Sequence, residues 1–341
     1  IPPDSVCRYV PPSGVFDPEI EWHWAVENSI AIPLVLQLTD DDGSGTIDGR
    51  DIPDVVALTY PTSIDDARIT AFSGDDGRVL FQSDDAINIC GGTSPAAADL
   101  DGDGTVEIVA ILSNGSSCGG GGQNVAAFSH TGALEWRTTA TITTRYYSVA
   151  IGDLQGDGSP EIVAGGSVFS SSGTFLWSQP ELSGILGGLA TNAPSLQDVD
   201  GDGLMEVIAS NAVFNHDGSV LWRGGSVANG YTAVARVIDS SVMRGPQVVA
   251  VNQTTFQILD GATGTSMFGP VVYEASGILA GPPTVADFDG DGHPEIGVAG
   301  DDRYVVFDPD MAVSPFIRWF VPSEDSSTGS VGSTVFDFDA D

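Results

Sequence analysis

Four nine-residue segments of this 341-residue chain carry acidic side chains at alternating positions. They begin at Asp99, Asp153, Asp198 and Asp287, with acidic residues at positions 1, 5 and 9 and glycine at position 6. Three of the four also have aspartate at position 3. Such carboxylates, together with a backbone carbonyl at position 7, can surround a hard cation, and calcium accepts roughly 6–8 oxygens at about 2.3–2.6 Å. The pattern therefore predicts calcium-binding loops in which glycine permits the sharp turn.

A longer copy runs from Asp40 to Asp51 and also matches the twelve-position calcium loop of an EF-hand. An EF-hand requires amphipathic helices on both sides, whereas residues 32–38 and 52–58 have the composition of strands. We therefore interpret this copy as the same loop with a three-residue insertion, and we expect it to bind calcium.

Other copies are weaker. Gln155 stands at position 3 of the Asp153 loop, which predicts weaker binding, and the degenerate copy at Asp239 contains Arg244, which predicts no calcium. A last copy begins at Asp337. About five or six calcium ions are expected in all. The predicted ligands are Asp40, Asp42, Ser44, Thr46, Asp48, Asp51, Asp99, Asp101, Asp103, Thr105, Glu107, Asp153, Gln155, Asp157, Ser159, Glu161, Asp198, Asp200, Asp202, Leu204, Glu206, Asp287, Asp289, Asp291, His293, Glu295, Asp337, Asp339 and Asp341.

The acidic segments are landmarks of an internal repeat of 41 to 59 residues. Each repeat also has a glycine turn followed by an aromatic residue, as at Gly132 and Trp136, and short β-branched runs such as residues 107–112. A strand before the acidic loop, a strand after it and a hairpin around the glycine turn give four antiparallel strands. Four-stranded units repeated six or seven times are typical of a β-propeller.

The two ends of the chain resemble parts of one repeat, because the stretch from Ile20 to Trp24 parallels the stretch from Ile317. Closing a ring with both ends removes exposed sheet edges. We therefore predict an all-β fold: a seven-bladed β-propeller of four-stranded antiparallel blades with calcium-binding hairpin loops, its last blade closed by the N-terminal strand. Residues 1–15 would form an N-terminal extension. Residues 16–341 would form a single propeller of six complete blades plus a shared, C-terminally truncated seventh, continued in the native protein beyond this chain.

The chain carries 47 acidic and 11 basic residues, with a formal net charge of −36, and contains no lysine. This charge repels phosphate backbones and anionic membranes, which argues against nucleic acid as a partner. A run of about 18 apolar residues is lacking, so no membrane span is expected. The acidity beyond the loops fits a saline habitat or GC-rich codon usage equally well. Cys90 and Cys118 would pair in an oxidising compartment, leaving Cys7 free or bonded outside this segment.

Other candidate chemistry is weaker. The four histidines lie near no recognisable nucleophile motif, and the aspartate pairs outside the repeat have the composition of acidic turns, so we predict no catalytic residue. The tryptophans that recur at one repeat position are expected to pack between blades. Four aromatic residues depart from that position and are candidates for surface recognition: Trp24, Tyr146, Tyr147 and Tyr231.

The loops resemble those of FG-GAP/VCBS-type repeats, which are best known from the seven-bladed propeller of integrin α subunits. The Asp-x-Asp-Gly-Asp-Gly-x-x-Glu loops and the Ala280-Gly281-Pro282 element carry this resemblance, which covers about residues 16–341. It implies calcium in the hairpin loops, an extracellular location, and adhesion or ligand recognition. Position 9 is mostly glutamate here, the Asp239 loop is degraded, and integrin ligand contacts have no counterpart that can be mapped.

These features together predict a secreted or cell-surface, calcium-stabilised β-propeller. It would be a monomeric binding or adhesion module for a protein or glycan ligand, and not an enzyme. The alternative is a lectin or a carbohydrate-active enzyme, a lyase or hydrolase, built on such a propeller. By analogy, the face opposite the calcium loops is expected to bind the ligand.

Overall fold

The computed structural model describes most of the chain. It covers residues 20–114, 118, 121–142, 148–179, 182, 194–209, 212–224, 230–238, 245–252, 254–272, 281–300, 303–311, 316–322 and 332–335. The predictions that lie outside these residues are those for Cys7, Tyr146, Tyr147, Asp239, Asp337, Asp339 and Asp341, together with the 1–15 extension.

The described strands form six four-stranded sheets. Sheet 1 contains β1 (Leu34–Leu36), β2 (Asp54–Thr59), β3 (Arg68–Phe72) and β4 (Val79–Gln82), and sheet 2 contains β5 (Ala96–Ala98), β6 (Glu107–Leu112), β7 (Asn124–Phe128) and β8 (Leu134–Arg137). Sheet 3 contains β9 (Ala150–Gly152), β10 (Glu161–Ala164), β11 (Ser167–Phe169) and β12 (Phe175–Ser178), and sheet 4 contains β13 (Ser195–Gln197), β14 (Glu206–Ala209), β15 (Ala212–Phe214) and β16 (Val220–Arg223). Sheet 5 contains β17 (Tyr231–Ala235), β18 (Gln247–Val251), β19 (Thr255–Asp260) and β20 (Ser266–Val272), and sheet 6 contains β21 (Thr284–Ala286), β22 (Glu295–Ala299), β23 (Arg303–Phe307) and β24 (Ile317–Pro322).

Each sheet pairs its four strands in sequence order, and every pairing is antiparallel. The strand content of residues 32–38 and 52–58 is confirmed by β1 and β2, and the predicted hairpin around Gly132 is confirmed by β7 and β8. Because direction alternates along each sheet, the acidic loop between its first two strands and the glycine turn between its last two lie at the same end. Six such sheets are consistent with a β-propeller.

The middle strands are buried on both faces because successive sheets stack against one another. All six residues of β6 are buried. Ile108 and Ala110 pack in the core shared with sheet 1, whereas Val109 and Ile111 pack in the core shared with sheet 3. Successive side chains of a strand point to opposite faces, so a continuous apolar run serves two cores at once. The same arrangement is repeated from sheet 3 to sheet 6.

The recurring tryptophans pack between sheets, as predicted. The Trp177 ring lies over the glycine turn of sheet 4, and its indole nitrogen donates a hydrogen bond to the His216 carbonyl at 2.9 Å. Trp222 repeats this contact one sheet further on, with the Gly261 carbonyl at 2.6 Å. Each contact joins a fourth strand to the turn of the following sheet, so it sets the spacing between neighbours.

The two ends of the described chain lie beside sheets 1 and 6. Trp22 stacks on Phe72 of β3 with ring centroids 6.1 Å apart. At the other end, the Ser333 carbonyl accepts a hydrogen bond from the Thr284 hydroxyl of β21 at 2.8 Å. Within the described residues, no helix is both long and apolar enough to cross a membrane.

The predicted disulfide between Cys90 and Cys118 is present. It connects the segment before sheet 2 to the loop between β6 and β7, at the end of the sheet opposite the acidic loop. The Cys118 backbone nitrogen also donates to the Asp65 carboxylate at 2.7 Å. Asp65 belongs to a short 3₁₀ turn, Ile64–Asp66, in the connection from β2 to β3, so this loop is tied to sheet 1 as well.

Candidate metal centres

The first aspartate of each acidic loop shapes the loop around its own carboxylate. Asp198 accepts hydrogen bonds from the backbone nitrogens of Gly201 and Gly203 at 2.7 and 3.1 Å. Gly203 has φ +93°, a conformation that glycine adopts readily and other residues avoid. Asp99 and Asp287 make the same pair of bonds in their loops. Glycine at position 6 is therefore a conformational requirement of the loop.

The glutamate at position 9 begins the second strand of its sheet and is buried in all four loops. One oxygen of each carboxylate accepts a hydrogen bond from the backbone nitrogen of position 2. The distance is 2.8 Å for Glu107 and 2.9 Å for Glu206, and Glu161 and Glu295 make the same bond. This bond occupies one oxygen of each glutamate, and the partners of the second oxygen differ between the loops.

Carboxylate oxygens of three residues lie within 4.8 Å of one another in five groups of the described residues. The groups are Asp40, Asp42 and Asp51; Asp99, Asp101 and Glu107; Asp198, Asp200 and Glu206; Asp287, Asp289 and Asp291; and Asp289, Glu295 and Asp308. Two calcium–oxygen bonds of about 2.4 Å can span such a separation, so these groups have dimensions that fit calcium.

Glu206 provides the strongest sign that a cation is required. Its side chain is 1 % exposed, and its Oε1 atom has no hydrogen-bond partner among the described residues. Burial, followed by the charges of Asp200 and Asp202, raises the pKa of Glu206 to about 7. Burial also raises the pKa of Glu107. An unsatisfied buried carboxylate oxygen is costly, and a divalent cation would satisfy it.

In the Asp99 and Asp198 loops, the aspartate at position 5 accepts a backbone hydrogen bond within the loop. Asp103 accepts the backbone nitrogen of Thr105 at 2.7 Å, and Asp202 accepts that of Leu204 at 2.8 Å. Neither belongs to a described group of three, although the sequence predicts both as ligands. The hydrogen bonds from Thr105 lower the pKa of Asp103. The structure thus brings positions 1, 3 and 9 together in these loops.

The Asp153 loop satisfies its position-9 glutamate internally. The Gln155 amide donates to Glu161 Oε1 at 2.7 Å, while Glu161 Oε2 accepts the Leu154 backbone nitrogen at 2.9 Å. No group of three carboxylates forms among the described residues of this loop. Weaker calcium binding stays a prediction, with a hydrogen bond from Gln155 as its physical reason.

The first acidic loop lies within a longer connection between its two strands. Leu36 pairs with Asp54 in sheet 1, as Ala98 pairs with Glu107 in sheet 2, so the segment from residue 37 to residue 54 is nine residues longer than the segment 99–107. Within it, Asp51 accepts the Asp41 backbone nitrogen at 2.9 Å, the bond that position 9 accepts from position 2 in the other loops, and Asp40 accepts the Gly45 nitrogen at 2.8 Å. These contacts agree with the predicted loop from Asp40 to Asp51. Asp54 makes a second bond of the same kind, to the Leu38 backbone nitrogen at 3.0 Å.

Asp51 is buried at the end of this first loop, where it contacts other predicted ligand residues. The Asp51 carboxylate accepts backbone nitrogens of Asp41 and Asp48 at 2.9 and 2.8 Å. Asp48 is paired with Arg50 at 2.7 Å, and that pairing lowers the pKa of Asp48. The Ser44 hydroxyl contacts Thr46 at 3.1 Å. Asp40, Asp42 and Asp51 form the compact group, between two strands and without flanking helices.

Sheet 5 has a neutral residue at position 9. Ala235 pairs with Gln247, as Ala98 pairs with Glu107, so Gln247 takes the place that the degenerate copy predicts for it. Residues 236–247 are three more than the nine of the other loops, and the predicted start at Asp239 lies outside the described residues. The Gln247 Oε1 atom accepts the backbone nitrogen of Val237 at 2.8 Å, as glutamate does elsewhere. The prediction that this loop binds no calcium stays a prediction.

Two residues of sheet 6 that the sequence did not single out belong to its acidic cluster. Asp308, in the turn after β23, is 5 % exposed and lies with Asp289 and Glu295. Arg318 on β24 forms ion pairs with Asp289 and, at 3.1 Å, with Asp308. Comparing the turn residues of the repeats would have revealed Asp308, since sheets 1 to 3 carry Ser73, Ser129 and Ser170 there.

The other residues singled out from the sequence are packed or hydrogen-bonded within the protein. The His293 imidazole contacts the Asp310 carboxylate at 2.6 Å, and its backbone nitrogen donates to Asp291 at 2.8 Å. Trp24 packs edge-on against Phe72, with ring centroids 5.1 Å apart. Tyr231 is 7 % exposed at the start of β17, so its predicted role in surface recognition is wrong.

The fold and its loops define an all-β protein of six four-stranded antiparallel sheets, consistent with a β-propeller, with acidic clusters between the first two strands of several sheets. No family model and no curated protein matches this chain. Its likeness to known proteins is therefore structural.

Solved structures of similar fold include the Vibrio cholerae biofilm matrix protein Bap1, with a TM-score of 0.60 and 23% sequence identity over 79% of this chain and 47% of Bap1. Rhamnogalacturonan lyase YesW has a TM-score of 0.56 and 19% identity over 82% of this chain and 56% of the lyase. A Bacillus licheniformis rhamnogalacturonan lyase has a TM-score of 0.54 and 19% identity over 81% of this chain and 56% of the lyase. The chain thus spans about half the length of these structures, and at such identities the likeness concerns the fold.

Proposed function

We propose that this chain is an extracellular, calcium-stabilised β-propeller that acts as a binding module for a protein or glycan, and not as an enzyme. The observation that carries the calcium assignment is the buried carboxylate of Glu206, whose Oε1 atom has no hydrogen-bond partner among the described residues. It lies in a group with two aspartates of the same loop. Oxygen-only groups without a fixed octahedral arrangement favour calcium over magnesium, which requires near-ideal octahedral geometry.

Calcium titration of the chelated protein tests this assignment. Isothermal titration calorimetry should detect several calcium equivalents per chain, and the melting temperature should rise because the ion binds the folded state. A chain that shows neither a binding heat nor a shift in melting temperature would contradict the proposal.

Seven blades closed by the N-terminal strand, as in FG-GAP-type propellers, belong to the same proposal. Support comes from both ends of the described chain. Trp22 lies over the Gly77 turn of sheet 1 as Trp177 lies over the Gly218 turn of sheet 4. Ser333 lies beside Thr284 of sheet 6 as a first strand of a further blade would. In a four-stranded blade the first and fourth strands are about 14 Å apart, so cysteines introduced at residues 20 and 335 should be joined by a bis-maleimide of that reach if one blade contains both ends. Absence of the crosslink in folded protein would contradict this closure.

An extracellular location is supported by the disulfide, since such bonds persist in oxidising compartments. Likeness in fold to a biofilm matrix protein supports a matrix or surface setting. Fractionation of the producing cells, with thiol labelling of each fraction, tests it. Labelling of Cys90 and Cys118 in intracellular protein only, with no extracellular pool, would oppose this part of the proposal.

A carbohydrate-active enzyme is the second candidate, favoured by the fold of two rhamnogalacturonan lyases. A glycan array and an assay for polysaccharide cleavage, each run in calcium, separate the candidates. Binding without cleavage supports a lectin-like module, and cleavage identifies an enzyme. Inactivity in both assays favours a protein ligand, which we place on the face opposite the acidic loops, near the disulfide.

A further inference from the structure

A cleft lies between sheets 1 and 2 at the end that carries the acidic loops. One wall is formed by residues 47–49 of the first acidic loop, and the other by residues 104–106 of the Asp99 loop. Leu36, Gln37 and His130 supply the rest of the lining. We call this space the loop cleft. Its volume is about 190 Å³, which corresponds to roughly six water molecules of about 30 Å³ each, so it admits a side chain.

Two differences between the acidic loops create this cleft. The segment 37–54 is nine residues longer than the segment 99–107, and its residues 47–49 reach the Asp99 loop of the next sheet. Between sheets 3 and 4, by contrast, Leu204 at position 7 reaches the preceding loop, because a Cβ added to Gly156 would lie 3.3 Å from its Cδ2 atom. Position 7 of the Asp99 loop is the shorter Thr105, and the space beside it belongs to the cleft.

The loop cleft combines aliphatic side chains with negatively charged surroundings. Leu36, Ile47 and Val106 contribute the aliphatic part, and the Asp48 carboxylate at the edge is 39% exposed. Residues 40–51 contain five aspartates and one arginine, and residues 99–107 contain four acidic residues and no basic one. On these counts each loop keeps a net charge of −2 even with one calcium ion bound.

We propose that the loop cleft is a second interaction surface, which binds a basic side chain of a partner protein. Lysine and arginine have aliphatic stems that pack along apolar surface while the charged head contacts polar groups. The aliphatic lining fits such a stem, and the negative loops on both sides attract the head. This surface goes beyond the proposed function, whose ligand is placed at the opposite face.

Arg50 already occupies part of the charged edge of the cleft. Its Nη2 atom lies 2.7 Å from the Asp48 carboxylate, and its Nε atom donates to the other carboxylate oxygen at 3.0 Å. The Arg50 side chain is 68% exposed, so a basic side chain from a partner would compete with it for Asp48. Removing Arg50 should therefore strengthen the binding of a basic partner.

Fluorescence anisotropy of labelled pentalysine tests this proposal, with saturating calcium and an ionic strength of about 0.15 M. R50Q should bind pentalysine roughly two- to five-fold more tightly than wild type, the range expected for one exposed ion pair. R78Q is the matched control. Arg78 is also exposed and also pairs with an aspartate two residues earlier, Asp76 at 3.6 Å, but it does not line the cleft.

A second variant fills the cleft. T105L gives the Asp99 loop the residue that the Asp198 loop has at position 7, and leucine should occupy the space of the aliphatic stem. T105L should bind pentalysine at least about five-fold more weakly than wild type, because the stem then loses its apolar contacts. S159L, with the same change in the Asp153 loop outside the cleft, should bind like wild type.

Equal affinities of R50Q and R78Q would overturn the proposal, because they would show that pentalysine responds to net charge alone. Absence of pentalysine binding in wild type and R50Q alike would overturn it too, as would wild-type affinity in folded T105L. If T105L does not fold, tighter binding by R50Q than by R78Q still supports the cleft. Calcium binding is measured separately on the same proteins, so its loss would oppose the proposed function and not this surface.

Discussion

The two oxygens of the position-9 side chain differ in their partners. In Glu206, Oε2 accepts a hydrogen bond from the Val199 backbone nitrogen, while Oε1 has no hydrogen-bond partner among the described residues. In sheet 5, the neutral side chain of Gln247 accepts the equivalent backbone hydrogen bond. Position 9 is thus charged in one loop and neutral in another. Comparing glutamate with glutamine at this position therefore distinguishes the backbone hydrogen bond from the negative charge that a cation would need.

Replacing Glu206 with glutamine should abolish one calcium site without unfolding the loop. The amide can still accept the Val199 hydrogen bond, as Gln247 does for Val237, but it lacks the negative charge for the cation. We expect E206Q to bind one calcium fewer in calorimetry and to keep its strand content by circular dichroism. E21Q, which changes an exposed glutamate outside the acidic loops, is the matched control. Full wild-type binding by E206Q would refute the assignment.

The raised pKa of Glu206 makes metal-free stability depend on pH. The folded pKa of about 7 exceeds the ordinary value of 4.5, so the fold favours the protonated acid. Its contribution to stability is present below about pH 4.5 and is lost as the pH rises through 7, by ~3 kcal/mol in total. In EDTA, urea unfolding at pH 8 should find E206Q more stable than wild type, and the difference should shrink as the pH falls and disappear below about pH 4.5.

Excess calcium should reverse that order at pH 8, because the ion binds the ionised carboxylate and E206Q lacks it. Other carboxylates with raised pKa values, such as Glu107, are present in both proteins and cancel in the difference. A difference between wild type and E206Q that is constant from pH 5 to pH 8 would show that Glu206 does not titrate in this range.

Among individual residues, the sequence identified the carboxylates of the acidic loops more completely than the side chains that contact those loops. Positions 1, 3 and 9 were identifiable because alternating aspartates and a glycine have direct local meaning. The role of Asp54 was not, because only its pairing with Leu36 and its hydrogen bond from the Leu38 backbone nitrogen reveal it. Asp308 and Arg318 also escaped, since they reach the Asp287 loop from another turn and another strand.

At the scale of elements, the contact between a fourth strand and the following glycine turn joins neighbouring sheets. An added Cβ at Gly218 would lie 2.7 Å from Trp177 Cδ2. Related glycines meet Phe81, Trp136 and Trp222 in the same way. Glycine is thus required at this turn for inter-sheet packing and for its positive φ.

Substituting Gly218 with alanine should destabilise the protein by roughly 1–3 kcal/mol more than G203A, because the new methyl group overpacks the interface. Both glycines have positive φ values, +83° and +93°, but an added Cβ at Gly203 meets nothing within 4 Å. Urea unfolding in EDTA measures the difference without a contribution from calcium. Equal losses of stability in the two variants would mean that the positive φ alone, and not the contact with Trp177, explains the requirement for glycine at position 218.

Reduction of the Cys90–Cys118 disulfide should lower stability by roughly 3–4 kcal/mol, on the chain-entropy estimate for a sequence separation of 28 residues. Chemical unfolding with and without a reducing agent measures this loss. The C90S/C118S variant should be as unstable as the reduced protein and insensitive to the reductant. Sensitivity of that variant would indicate an intermolecular disulfide through Cys7, the one cysteine that remains.

The strands themselves were largely predictable, since short β-branched runs and glycine turns are local signals. The predicted hairpin around Gly132 and the strands on either side of the first loop are present. Register was not predictable in sheets 1 and 5, because long insertions change the distance between paired strands without changing their composition. Tyr231 illustrates the same limit, as its burial depends on packing between sheets.

At the scale of the whole molecule, the net charge of −36 has a general and a specific component. Self-repulsion of a highly charged chain weakens any compact state, and salt screens it with a Debye length of about 8–10 Å. The acidic groups add a local component, because their oxygens lie within 4.8 Å of one another and sodium ions screen such close charges poorly. Stability should therefore respond to sodium and to calcium in different ways.

Millimolar calcium should raise the melting temperature of the chelated protein well beyond the effect of magnesium or sodium chloride at equal ionic strength. Each site that binds only the folded state contributes about 2.7 kcal/mol when calcium is 100-fold above its dissociation constant. Magnesium dehydrates reluctantly and demands near-ideal octahedral geometry, whereas calcium accepts a more variable set of oxygens. Differential scanning calorimetry in 0.5 M sodium chloride isolates the specific component, because general repulsion is then screened. The calcium shift should persist there and shrink in E206Q. An equal shift with magnesium would show that the sites do not select calcium, and the absence of any calcium shift would assign the effect to charge screening.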